Sequence, residues 1–190
     1  MSLVSHFVTD RRRFHLEPSD LIARTARAAR MGVDVIQVRE RDLADRELAA
    51  LVRDIARAVA GTAVKVLVND RADVALAAGA HGVHLRGDSM SAQRVRAIVP
   101  ADFIVGRSVH SIEDVDAALA TGGCDYLTFG TVFPSAGKPE GHAVAGVDAL
   151  REVCRRSPIP VIAIGGIDEK HLDEISKAGA AGFAAVGMFM

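Results

Sequence analysis

The sequence predicts a (β/α)8 barrel. Short runs rich in β-branched residues alternate with amphipathic or alanine-rich segments along all 190 residues. The runs are apolar throughout, the pattern of strands covered on both faces in a parallel sheet. Eight such units in 190 residues leave little room for insertions, which suits a compact barrel. An open doubly wound sheet is the competing arrangement. No linker or charge block interrupts residues 1–190, which read as one domain.

The first strand is expected at residues 6–10 (HFVTD). A helix follows at 18–32, with Ser19 placed as its N-cap and Gly32 where a C′ glycine belongs. Residues 33–40 (VDVIQVRE) read as the second strand and 42–61 as its amphipathic helix. The third pair is 64–70 (VKVLVND) and 71–79, and the fourth is 82–87 (GVHLRG) and 91–99. The fifth pair is 102–110 (DFIVGRSVH) and 111–122. The sixth strand, 125–133 (DYLTFGTVF), leads into a Gly- and Pro-rich loop at 134–146 and a helix at 147–157. Loops of that length inside a compact domain are usually functional or mobile. The seventh pair is 160–167 (PVIAIGGI) and 168–180, and the eighth strand is 182–190 (GFAAVGMFM). The expectation is thus a barrel whose eighth helix is missing from these residues.

A net charge of -1 points neither to a nucleic-acid surface nor to an anionic membrane. The absence of Trp and the single Tyr argue against a base-stacking platform. No apolar run is long enough for a transmembrane span, and no signal-peptide pattern opens the chain, so a cytoplasmic location is expected. Cys124 and Cys154 lack metal-ligand spacing and read as reduced thiols.

Barrel active sites lie at the C-terminal strand ends. The polar residues there are Gln37, Arg39 and Glu40, then Asn69 and Asp70, then His84, Arg86 and Asp88, then Ser108 and His110, then Thr128 and Thr131, with Ser135 and Lys138 beyond. The glycines of AIGGI, Gly165 and Gly166, let backbone N–H groups approach an anion, and Gly187 would complete a phosphate cup after strand eight. The plainer reading is a tight turn. Gln37 and Arg39 share a strand face, and Arg39 suits a pyrophosphate or else a buried ion pair. Asp70 reads equally as a ligand or a helix cap, and His84 reads as a satisfied core group. Ser108 and His110 share a face, with no third member for a hydrolase triad. Lys138 reads as a phosphate contact or an exposed loop lysine. The largest open question is whether Asp70 and Asp88 converge on one metal ion.

The ordered set VTDR, IQVRER, VNDRADVALAAGAHGVHL, GRSVHS, DYLTFGTVFPSAGK and VIAIGGI resembles the thiamine phosphate synthase/TenI superfamily over nearly the whole chain. The resemblance implies a (β/α)8 barrel that joins hydroxymethylpyrimidine diphosphate to a thiazole phosphate, through loss of pyrophosphate and capture of a pyrimidine cation. It implies catalytic roles for Arg39, Ser108 and Lys138. It implies substrate contacts from Gln37, Arg39, Asn69, Ser108, Lys138, Gly165, Gly166, Val186 and Gly187. Mg2+ would be held by Asp70, with Asp88 as the second carboxylate. The implied partners are small-molecule phosphates, with no nucleic acid and no membrane; a homo-oligomer is compatible with the sequence.

The chain departs from the synthase pattern at several places. Arg41 stands for a lysine, HLRGDS stands for HLGQED so that Ser89 falls on the second ligand position, and Gly137 replaces a hydroxyl donor. These departures leave two alternatives. One is a TenI-like thiazole tautomerase, whose acid/base histidine position is Thr131 here, with His142 as a substitute. The other is a non-catalytic thiazole-phosphate-binding regulatory protein.

Overall fold

The computed structural model describes residues 3–135, 141 and 143–190. Lys138, Gly137 and His142 fall outside them. The strands are Val4–Val8 (β1), Val35–Val38 (β2), Lys65–Asn69 (β3), Gly82–Leu85 (β4), Ile104–Val109 (β5), Tyr126–Phe129 (β6), Val161–Ile164 (β7) and Gly182–Ala185 (β8). All pair in parallel in chain order, and β1 pairs with both β2 and β8, so the sheet is a closed barrel rather than an open one. The helices are Pro18–Arg30 (α1), Asp45–Ala58 (α2), Ala72–Ala78 (α3), Ala92–Arg96 (α4), Ile112–Thr121 (α5), Gly146–Arg156 (α6) and Leu172–Lys177 (α7).

The period of two divides each strand between two cores. Outward residues Phe7, Ile36, Val66, Val83 and Val105 pack under α1–α4, against Leu21, Val52 and Ile55. Leu127, Ala163 and Phe183 pack with Leu150, Val153 and Ile175 of α6 and α7. Inward residues Val8, Val35, Leu67, Tyr126, Ile162 and Ala184 fill the barrel itself. Burying each such aliphatic side chain contributes about 1.5–3 kcal/mol.

Large and small residues alternate inside the barrel. A Cβ on Gly106 would lie 2.1 Å from Cζ of the Tyr126 ring, so the glycine in β5 is the space that the only tyrosine occupies. Cβ atoms on Gly82 and Gly182 would likewise strike backbone oxygens of Ile104 and Val4.

Several boundaries differ from the sequence reading. Ser19 is not the cap of α1. The N-cap is Glu17, whose N–H donates to Asp20 at 3.2 Å, because Pro18 fits the first helical position and moves the cap two residues back. Gly32 has φ +88, as a C′ glycine should. The run 182–190 is a strand only to Ala185; Gly187–Phe189 turn into a 3-10 helix that brings Phe189 to 5.4 Å from Phe7 and 6.2 Å from Phe183 between ring centroids. A short apolar run does not reveal which regular form buries it. Similarly, 168–180 divides into a 3-10 turn (Glu169–His171) and α7.

Gly106→Ala is expected to lower the urea-unfolding free energy by about 1–3 kcal/mol, the cost of overpacking. Combined with Tyr126→Ala, which removes the clash, the two losses are expected to be less than additive in a double-mutant cycle.

Candidate functional site

A cavity of about 1220 Å³ opens at the C-terminal ends of the strands. Gln37, Arg39, Asn69, Asp88, Ser108, Gly165, Gly166, Val186 and Gly187 all line it. So do Arg13, Arg41, Arg86 and His110. Asp70 is not among the lining residues.

One side of the mouth is cationic because the loop after β1 is fastened to the end of β2. Glu40 is buried and accepts the Arg11 N–H at 3.2 Å on each oxygen, and burial pushes its carboxyl above the usual range. The Arg11 guanidinium pairs with Asp42 at 2.5 Å. Arg39 donates its N–H to Thr9 Oγ1 at 2.9 Å, and its guanidinium lies 3.3 Å from Asp10. Arg39 is thus in an ion pair, though a half-buried rather than a buried one, and it also lines the cavity. Arg41 makes no ion pair among the described residues; desolvation, then the nearby charges of Arg39 and Arg86, lower its pKa.

The floor is neutral and hydrogen-bonded. Gln37 Nε2 donates to Asn69 Oδ1 at 3.0 Å across β2 and β3. The Tyr126 hydroxyl lies 2.9 Å from His84 Nδ1, and His84 Nε2 lies 2.9 Å from Ser108 Oγ. Burial raises the Tyr126 pKa far above its ordinary value and pushes His84 down to about 3, so the phenol keeps its proton and the imidazole stays neutral. A neutral imidazole has one N–H and one acceptor nitrogen, and these two bonds to Tyr126 and Ser108 use both. Thr128 also donates to Ser108 Oγ, at 3.3 Å. Ser108 Oγ therefore sits within hydrogen-bond reach of both His84 Nε2 and Thr128 Oγ1 at the cavity floor. His84 is a satisfied core histidine that also borders the cavity. Deeper in, His6 packs edge-on to Tyr126 at 5.3 Å; burial pushes its pKa down to about 4.

The remaining wall comes from the β6 and β7 turns. Gly165 has φ +101 and Gly166 φ +64. A Cβ on Gly165 would lie 2.5 Å from Thr131 Cγ2, and one on Gly166 2.3 Å from the Pro134 carbonyl oxygen. The tight-turn reading of this pair is therefore sufficient on packing grounds, and its backbone still faces the cavity. Stacking of Phe133 on His171 at 3.9 Å adds a second tie between the two loops. His110 donates from Nδ1 to the Gly130 carbonyl at 2.6 Å, and its Nε2 makes no hydrogen bond among the described residues.

Asp70 and Asp88 meet a guanidinium rather than each other. Arg86 Nη1 is 3.6 Å from Asp70 Oδ2, and its Nη2 bonds Asp88 Oδ2. The other Asp70 oxygen accepts from the Ser89 hydroxyl. Asp70 does not cap α3, whose N-cap is Arg71. Asp88 is 70% exposed, and no group of three His, Cys, Asp or Glu side chains is placed to hold a metal among the described residues. A divalent ion takes several oxygen donors in a set geometry. Two carboxylates already turned to one guanidinium do not fit that requirement.

Sequence reasoning did not assign roles to Arg13, Arg86, Tyr126 or His6. The signal for Tyr126 was a lone inward tyrosine opposite a glycine of the neighbouring strand.

The fold and the cavity define a class: a (β/α)8 barrel with a large cavity at the C-terminal ends of its strands. Residues 5–189 match the family described as thiamine monophosphate synthase. The chain is 40% identical over 167 residues to the putative thiamine-phosphate synthase of Geobacter sulfurreducens, covering 88% of this chain and 78% of that protein. It is 39% identical over 168 residues to the thiamine-phosphate synthase of Anaeromyxobacter dehalogenans, covering 88% and 75%. The solved thiamine phosphate pyrophosphorylase from Pyrococcus furiosus superposes with a TM-score of 0.81 at 33% identity, over 97% of this chain and 85% of that one. The chain belongs to the thiamine monophosphate synthase family. No helix among the described residues is long and apolar enough to cross a membrane.

Neutral burial of His6 and His84 gives an acid liability. Their folded values, about 4 and about 3, lie below the ordinary 6.5, so the unfolded chain binds more protons once the pH falls below 6.5. Urea-unfolding free energy is expected to be flat above that pH and to fall toward pH 4, by up to about 1.4 kcal/mol per pH unit for each histidine. His84→Gln is expected to flatten the slope.

Proposed function

We propose that the protein is a thiamine-phosphate synthase-type transferase acting in the cytoplasm, joining a pyrimidine diphosphate to a thiazole phosphate. The observation that supports this most is the division of one cavity into an arginine side and a glycine side, each suited to a different phosphate. Arg39 and Arg41 stand beside the leaving diphosphate and offset the charge that grows as the carbon–oxygen bond breaks. Ser108 offers its hydroxyl to the same group. Gln37 and Asn69, locked to each other, orient the pyrimidine above the apolar interior. Backbone at Gly165, Gly166, Val186 and Gly187 receives the thiazole phosphate; Lys138, outside the described residues, is the candidate for phosphate oxygens that the resemblance implies. The Mg2+ expected from the resemblance carries no step here, because its two carboxylates are turned to Arg86.

Incubation with both substrates is expected to yield thiamine phosphate; no product at high enzyme concentration would overturn the reading. Arg39→Ala is expected to lower kcat/KM about 100-fold, the scale of a lost transition-state donor. Ser108→Ala is expected to cost about tenfold, the scale of one charge-assisted hydrogen bond.

A second reading, thiazole tautomerase, draws on His110. Its Nε2 gives the cavity an acid/base group fastened to Gly130, next to the position of Thr131. NMR of the thiazole carboxylate phosphate tautomer with and without His110→Ala tests it: conversion that requires His110 supports proton transfer, and conversion at the background rate removes it.

A further inference from the structure

The turn after β4 presents a cation to the cavity. Arg86, Gly87 and Asp88 form the wall there, whereas Asp70 does not reach it. The Arg86 guanidinium is anchored from two sides, by Asp70 at 3.6 Å and by a bond to Asp88. The turn itself is pinned by the Arg86 N–H, which donates to Ser89 Oγ at 2.9 Å, while that hydroxyl donates to Asp70. Ser89 thus ties the turn to Asp70 at the position where a second metal-binding carboxylate was expected.

A guanidinium has five N–H donors, and these two carboxylates leave several unused. Asp88 is 70% exposed, so its pairing is screened and yields readily to a stronger anion. Arg86 also lies close enough to Arg41 for each to feel the other's charge, so two guanidinium groups are offered to an oxyanion at this wall.

We infer that Arg86 is the fixed counter-ion of the diphosphate subsite. It binds phosphoryl oxygens directly, held in place by Asp70 and, through the turn, by Ser89 while Asp88 gives way to the anion, and pyrophosphate binding to this chain therefore does not require a divalent cation. The inference rests on the reading of the arginine side as a diphosphate site.

The test is calorimetric titration of the full chain with inorganic pyrophosphate, in EDTA and in Mg2+, for the wild type and Arg86→Gln. The wild type is expected to bind in EDTA, and Arg86→Gln to weaken that binding about tenfold, the worth of a charge-assisted contact. Silence of the wild type in EDTA, or a loss below about threefold in Arg86→Gln, overturns the inference. Should Arg86→Gln not fold, Arg86→Lys keeps the charge but not the fork, and the same threshold applies. Failure of the transferase reading appears in the product assay and leaves this titration unaffected. Failure of the inference appears in the titration while product still forms.

Discussion

Everything in this molecule follows from closing eight strands of four to six residues into one ring through the β1–β8 pairing. Strands this short leave the interior only a few layers deep. Each inward position must then be filled by a neighbour's side chain or by the ligand. Apart from His6, the lower layers are apolar and stepped by glycines, and the upper one is polar. Because a buried polar group is costly without a partner, the upper residues bind each other across strands: Gln37 with Asn69, and Tyr126 with His84 and Ser108. The floor of the cavity is thus part of the barrel's own hydrogen bonding, and it is stiff for that reason.

The mouth obeys different physics. Its ion pairs are mostly solvent-exposed and contribute little to stability one by one. What they supply is placement. Glu40, buried under the loop after β1, fixes that loop to β2 and aims Arg39 beside Asp10, while Asp70 and Asp88 aim Arg86. Asp10, Asp70 and Asp88 each serve an arginine that lines the cavity.

The order of elements was legible because it depends only on local pattern, and a place at the strand ends together with the family resemblance was enough to put Gln37, Asn69 and Ser108 at the cavity. The cap at Glu17 and the bend after Ala185 were less legible: Ser19 is as good a capping residue by type, and an apolar run reads the same as strand or turn. The bond between His84 and Tyr126 was out of reach, since it joins residues 42 apart and exists only through the registers of β4, β5 and β6. Arg86 was seen but given no role. The sequence drew attention to the two carboxylates beside it, and only distances show that both turn toward it.

The contact of Gly165 with Thr131 and of Gly166 with the Pro134 carbonyl binds the histories of two loops together. Neither glycine can acquire a side chain while the β6 loop keeps its path, and that loop cannot move inward while the glycines hold the turn. Change at this wall must therefore come as paired substitutions. A lineage that drifts toward another substrate is freer to do so on the arginine side, where rim residues are replaceable one at a time.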